Sequence, residues 1–93
     1  MTSINEYFDG NVKSIAFQTE TLPATVGVMA PGEYVFDTRD KEKVTVISGA
    51  LAIQLTAEDS YQTYTEGQSF NVSANSSFNV KVATDTSYLC LYG

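Results

Sequence analysis

The residues of this chain whose types and spacing could do chemistry are concentrated in one charged segment, Asp37–Lys43, with the sequence DTRDKEK. A carboxylate such as Glu42 can accept hydrogen bonds from hydroxyl groups and stabilise a developing positive charge. The guanidinium fork of Arg39 can bind two oxygens of an anion at once. The alternative is a solvated surface loop in which Glu42 pairs with Lys41 or Lys43. The sequence leaves both interpretations open.

The segments on either side of this charged stretch have the patterns of β-strands. Glu33–Phe36 alternates before it, and Val44–Ile47 resumes after it as an apolar, β-branched run. Further short alternating runs recur along the chain, separated by turns rich in Gly, Asn and Pro, and no run has a convincing helical period. The pattern predicts an all-β, antiparallel fold of roughly seven to nine short strands, in a single domain over residues 1–93.

The composition excludes several classes of function. With 11 acidic and 5 basic residues the chain has a formal charge of −6, which argues against nucleic acid or an anionic membrane as a partner. The absence of histidine rules out a His-ligated metal and a His general base. The single Cys90 rules out an internal disulfide and is interpreted as a small buried hydrophobe. There is no apolar N-terminal run typical of a signal peptide, so we expect a cytoplasmic protein.

The spacing around the charged segment resembles the metal signatures of cupin barrels. Glu42 stands seven residues before Gly49, as the acid of the first cupin signature does. Phe36 and Thr38 occupy the two His places of that signature, and Phe78 occupies the His place of the second one. The resemblance implies a cupin-type, jelly-roll-like antiparallel β-barrel that has lost its metal ligands. We therefore expect no metal and no other cofactor.

A longer resemblance runs through nearly the whole chain. Its segments are similar to the small pyrimidine/purine nucleoside phosphorylases of the cupin superfamily. They are Asn5–Phe8, Val12–Ile15, Val26–Met29, Gly32–Tyr34, Thr45–Leu51, Phe70–Val72 and Thr86–Cys90. The chain departs from the family pattern where Ser73-Ala74 replaces a frequent Pro-Gly and where Leu91 replaces a frequent Arg. The resemblance implies a homodimeric, metal-independent enzyme that splits purine and pyrimidine nucleosides with phosphate into free base and ribose 1-phosphate.

Phosphorolysis of a nucleoside passes through an oxocarbenium-like sugar, so the protein must bind the ribose and the phosphate. Under this hypothesis Glu42 is the expected catalytic residue, accepting from the ribose hydroxyls. Arg39 and Lys13 are the candidates for phosphate. A homodimer is also expected on physical grounds, because so small a domain gains from covering apolar strand positions.

The nucleobase would be bound by aromatic and polar side chains near the same segment. Tyr34 has the parity of Phe36 and Thr38, so it could stack on the base or donate to it, and Thr38 and Phe78 are further substrate-binding candidates. Stacking would tolerate many bases, since every base has a π-face. The alternative for the phenylalanines is simple core packing.

Two other functions compete with the phosphorylase. A non-catalytic nucleoside- or sugar-binding cupin is suggested by the lack of a strong acid and base pair. A metal-dependent dioxygenase cupin is excluded by the absence of histidine.

Overall fold

The computed structural model describes residues 2–56 and 59–93, which form ten β-strands and no helix. The strands are β1 (Ser3–Tyr7), β2 (Val12–Gln18), β3 (Pro23–Met29), β4 (Gly32–Asp37), β5 (Glu42–Ser48), β6 (Ala50–Gln54), β7 (Gln62–Thr65), β8 (Ser69–Val72), β9 (Ser77–Val82) and β10 (Thr86–Tyr92). The prediction of an all-β fold is confirmed, with one strand more than the expected range. The described part of the chain accordingly holds no helix long and apolar enough to cross a membrane.

The strands form two antiparallel sheets. The larger sheet has the order β1-β2-β3-β10-β5-β8, and the smaller has the order β4-β9-β6-β7. Strands distant in sequence are neighbours, since β10 lies between β3 and β5. Hydrogen bonding among the described strands does not join the two sheets into one closed barrel. The expected barrel is therefore corrected to two antiparallel sheets with the core between their inner faces.

The core follows from the period-two alternation of the strands, which turns every second side chain inward. Its most deeply buried members come from both sheets: Val12 and Val46 from the larger, and Leu51 and Val80 from the smaller. Burying each of these side chains contributes about 1.5 to 3 kcal/mol. The apolar runs seen in the sequence are thus the two inner faces of the fold.

Between β5 and β6 the chain passes from the larger sheet to the smaller through one residue, Gly49. β5 ends at Ser48, β6 begins at Ala50, and Gly49 has a φ of +98°, in the left-handed region that favours glycine. A side chain at position 49 would collide with the hydroxyl of buried Thr86, which accepts a hydrogen bond of 3.2 Å from the amide of Ala50. The link between β5 and β6 is therefore a crossing between sheets, which sets these two strands on opposite walls of the interior.

Candidate functional site

A cavity of about 500 Å³ lies between the two sheets. Its walls are inner-face side chains of both sheets, and exposed Phe8, Arg39 and Asp40 mark its mouth. A volume of this size is typical of sites that bind small organic molecules. The cavity is therefore the candidate site.

Glu42 lies in the wall of this cavity. It is the first residue of β5, so it shares the inward parity of Val44 and Val46, and its side chain is half-buried. The thiol of Cys90 donates a hydrogen bond of 3.4 Å to Oε1 of Glu42. Burial raises the pKa of the Glu42 carboxyl; the bond from Cys90 opposes this rise and the nearby charge of Asp40 adds to it.

Pairing of Glu42 with a neighbouring lysine is not observed. In residues 2–56 and 59–93 the one ion pair joins Lys13 and Glu6, at 3.5 Å. The charged segment is also shorter as a loop than the sequence indicated, because Glu42 and Lys43 are already part of β5. The strand, rather than the loop, thus orients the carboxylate.

Strand β10 supplies three more polar groups to the same wall: Tyr88, Cys90 and Tyr92. Burial raises the pKa of Tyr88 to about 12 and raises the pKa values of Cys90 and Tyr92 as well. All three are therefore protonated and neutral at physiological pH. The Tyr92 hydroxyl is further fixed by Thr25, whose Oγ1 lies 3.0 Å away.

Tyr88 reaches across its neighbouring strand because Gly27 leaves room for it. Tyr88 and Gly27 are directly paired between β10 and β3. A Cβ at position 27 would lie 2.7 Å from the Tyr88 hydroxyl oxygen and 2.6 Å from the carbonyl oxygen of Lys13. The absence of a side chain at Gly27 thus lets the Tyr88 ring lie close to the backbone of β3.

Sequence reasoning did not assign these β10 residues to the site. The available signal was the alternation of Tyr88, Cys90 and Tyr92 with Leu89 and Leu91, which places the three groups on one face of the strand.

The opposite wall carries aromatic rings. Phe36 and Phe78 are directly paired between β4 and β9, and their rings stack with centroids 5.6 Å apart and an interplanar angle of 26°. Phe70, which lies on β8 of the larger sheet, meets Phe78 edge-on across the interior, at 6.2 Å. The side chain of Phe78 is 6% exposed and lines the cavity, so it belongs to both the core and the candidate site.

Two residues predicted to bind substrate do not line the cavity, and both are buried. The Thr38 hydroxyl donates to the carbonyl oxygen of Ser73 at 2.7 Å and accepts from the amide of Ser76 at 3.0 Å, which ties the end of β4 to the turn before β9. The Tyr34 hydroxyl donates to the carbonyl oxygen of Ala30 at 2.5 Å. Both side chains therefore have their polar groups committed to backbone.

Of the two cations expected to bind phosphate, only Arg39 lies at the cavity. Lys13 has the opposite parity to inward-facing Val12 and Ser14, so its side chain lies on the outer face of the larger sheet. Arg39 is the one cation among the described residues that line the cavity, which also include the carboxylates of Asp37, Asp40 and Glu42.

Three of the residues at the cupin metal positions, Phe36, Thr38 and Phe78, do not fit a metal ion, and only Glu42 offers a carboxylate. Phe36 and Phe78 have no lone pair to donate, and the Thr38 hydroxyl is bonded to backbone. Among the side chains that the structure describes, no three from His, Cys, Asp or Glu are grouped as ligands.

Comparison with known sequences gives a match over almost the whole chain. Residues 2–92 match the family model described as pyrimidine/purine nucleoside phosphorylase. A relative of that name from Saccharophagus degradans is 61% identical over 92 residues, covering 99% of this chain and 98% of the relative. Another of that name, from Hahella chejuensis, is 57% identical over 93 residues and covers 100% of both chains.

Solved structures resemble the chain over a similar extent. A protein of unknown function from Vibrio parahaemolyticus is 44% identical, with a TM-score of 0.95 and coverage of 100% of this chain and 99% of that one. An RmlC-like cupin from Shewanella frigidimarina is 21% identical, with a TM-score of 0.76 and coverage of 98% and 82% respectively. The second likeness supports a cupin-like fold and nothing about activity.

Proposed function

Since this chain belongs to the pyrimidine/purine nucleoside phosphorylase family, we propose that it cleaves purine and pyrimidine nucleosides with inorganic phosphate, releasing free base and ribose 1-phosphate. The observation that carries the proposal is the half-buried carboxylate of Glu42, which faces a cavity of suitable size. In the reaction a phosphate oxygen forms a bond to C1′ of the ribose while the bond from C1′ to the base nitrogen breaks.

Glu42 acts on the sugar. Its carboxylate accepts hydrogen bonds from ribose hydroxyls, and its charge stabilises the positive charge that develops on the ring in the transition state. The Cys90 thiol, donating at 3.4 Å, holds one carboxylate oxygen and leaves the other free for substrate. The tyrosines of β10 are neutral, so they add hydrogen-bonding groups to this wall without adding charge.

Arg39 contacts the phosphate. Its exposed guanidinium at the cavity mouth can bind two phosphate oxygens, and it offsets the repulsion from Asp37 and Asp40 nearby. The proposed reaction uses no metal ion, since the side chains of Phe36, Thr38 and Phe78 at the cupin metal positions do not suit one. Broad tolerance of the base follows from stacking on the aromatic wall rather than from reading the edge of the base.

The test is release of free base from uridine, cytidine, inosine and adenosine, with and without inorganic phosphate, in the wild type and in Glu42→Ala. We expect phosphate-dependent release in the wild type and a loss of about 10²- to 10³-fold in the variant. Full activity in the variant would move the catalytic site away from Glu42. Thermal stabilisation by nucleosides without turnover in the wild type would favour the non-catalytic binding protein instead.

We also propose that the protein is a homodimer formed through the outer face of the larger sheet. Its supporting observation is an apolar row across four adjacent strands, in which Ile4 pairs with Ile15, Ile15 with Val26, and Val26 with Leu89. Ile4 is 75% exposed and Ile15 is 43% exposed, so a second copy of the chain would remove much apolar surface from water. Light scattering at micromolar concentration should give twice the mass of one chain, and a monomeric mass would refute the proposal.

A further inference from the structure

Phe8 lies in the turn between β1 and β2. We infer that Phe8 is the residue that stacks on the nucleobase and sets how tightly nucleosides bind. This inference rests on the proposed function. Phe8 lines the cavity, yet it belongs to neither sheet. It is also not one of the positions at which a cupin binds its metal.

The backbone at Phe8 is in a conformation that bulky residues rarely adopt. Phe8, Asp9 and Gly10 have φ values of +53°, +57° and +84° in succession. Asp and Gly tolerate the left-handed region, whereas a phenylalanine there is an outlier. Two hydrogen bonds of 3.1 Å fix the turn, from the amide of Gly10 to the carbonyl of Tyr7 and from the amide of Asn11 to the carbonyl of Phe8. Strain of this kind concentrates at functional sites.

The turn directs the Phe8 ring from the larger sheet onto the aromatic wall of the smaller one. Its centroid lies 4.9 Å from that of Tyr34 and 5.5 Å from that of Phe36, which it meets almost perpendicularly, at 82°. The residue nevertheless remains 42% exposed. One part of the ring is therefore supported by aromatic neighbours, while the rest stays open to a ligand at the mouth.

A nucleobase fits this open surface chemically. Base and ring are both flat and aromatic, and stacking on an aromatic side chain contributes to binding with every base. With the ribose at Glu42 on one wall, the base can extend toward Phe8 at the mouth. Removal of the ring should then weaken the binding of purine and pyrimidine nucleosides alike, and should leave the binding of phosphate unchanged.

The experiment measures kcat, the KM for inosine and uridine, and the KM for phosphate in four proteins: wild type, Phe8→Asn, Phe8→Tyr and Tyr61→Ala. Asn suits the left-handed backbone and has no ring, whereas Tyr keeps the ring. Tyr61 is an aromatic control, since it lies outside the cavity beneath the ammonium of Lys81. We expect Phe8→Asn to raise the KM of both nucleosides about ten- to a hundredfold. Phosphate KM should stay at its wild-type value, and Phe8→Tyr and Tyr61→Ala should behave as wild type.

Melting temperatures of the same four proteins separate binding from structure. A lower melting temperature of Phe8→Asn with unchanged nucleoside KM would mean that Phe8 only seals the fold, which overturns the inference. An equal rise in the KM for phosphate and for nucleosides would overturn it as well, since it reports general damage to the site. A wild type without phosphorolysis would refute the proposed function and this inference together, whereas an active Phe8→Asn with wild-type KM values refutes this inference alone.

Discussion

The two walls of the cavity differ in chemistry. The smaller sheet contributes Phe36, Leu51, Ile53, Phe78 and Val80, and its one charged group among the described lining residues is Asp37 at the end of β4. The larger sheet also contributes apolar side chains, Met29, Val44 and Phe70, but it is the sheet that carries Glu42, Ser14 and the polar groups of β10. We therefore call the smaller sheet's side of the cavity the apolar wall and the side around Glu42 the polar wall.

This division shows how a fold of this size can bury polar and charged side chains. The apolar wall is continuous with the hydrophobic core, so its residues stabilise the fold as well as shaping the site. The polar wall carries one carboxylate, and the thiol and phenols around it are neutral, which limits the cost of burying it. If the division is correct, changes to the aromatic and aliphatic side chains of the apolar wall should act mainly on stability, and changes to Glu42 and the polar groups beside it mainly on activity.

The largest expected effect on stability comes from a change on the apolar wall. Phe78→Ala removes a ring that packs against Phe36 and Phe70, and it should lower the free energy of unfolding by about 3 to 5 kcal/mol. Urea denaturation measures this change. Val35→Ala on the adjacent strand is the control, since Val35 is 58% exposed and its truncation should change stability by about 0.5 kcal/mol or less. Equal losses in both variants would contradict a core role for Phe78.

A smaller effect on stability, of opposite sign, is expected from a change on the polar wall. Because burial raises the pKa of Glu42, this carboxyl keeps its proton to a higher pH in the folded protein than in the unfolded chain. Between the two pKa values the folded state binds more protons, so its stability falls as pH rises through this window and stays lower above it. Glu42→Gln removes this loss and should melt a few degrees above the wild type at about pH 8, with no gain at about pH 4.

Thermal unfolding at the two pH values tests this expectation, with Glu33→Gln as the control because Glu33 is exposed on β4 outside the cavity. A Glu42→Gln protein that is less stable than the wild type at both pH values would mean that the carboxylate stabilises the fold. The contrast between the two walls would then be wrong.

The sequence predicted the apolar wall better than the polar one. Period-two alternation identified the strands of Phe36, Leu51 and Phe78, because alternation is a local property of the chain. Cys90 is buried, as predicted, but its hydrogen bond to Glu42 was not foreseen, because the two residues are 48 apart in sequence. Tyr92 and Thr25, which also meet, are 67 apart. Such contacts depend on which strands become neighbours, and strand order is not encoded in local alternation.

Three residues predicted to bind substrate do not line the cavity, and the reasons differ. Tyr34 and Thr38 have the inward parity that was predicted, but backbone carbonyls at Ala30 and Ser73 engage their hydroxyls. Lys13 was a candidate for binding phosphate because of its charge alone. On β2 it alternates with inward-facing Val12 and Ser14, so it faces outward. The spacing of Glu42 to Gly49 made it a candidate but did not decide whether it faced the interior; it does so because it has the parity of Val44 and Val46 on β5.

Gly27 has a consequence for how such a site can change over evolution. The Tyr88 ring rests on the bare backbone of this glycine, so the depth of the cavity on that side depends on a residue that does not line it. Any larger residue at position 27 would meet both the Tyr88 hydroxyl and the backbone carbonyl of Lys13, so it would displace the ring, strand β2 or both, with every lining residue unaltered. The shape of the cavity therefore depends on a position behind its wall, which a comparison of the lining residues alone would overlook.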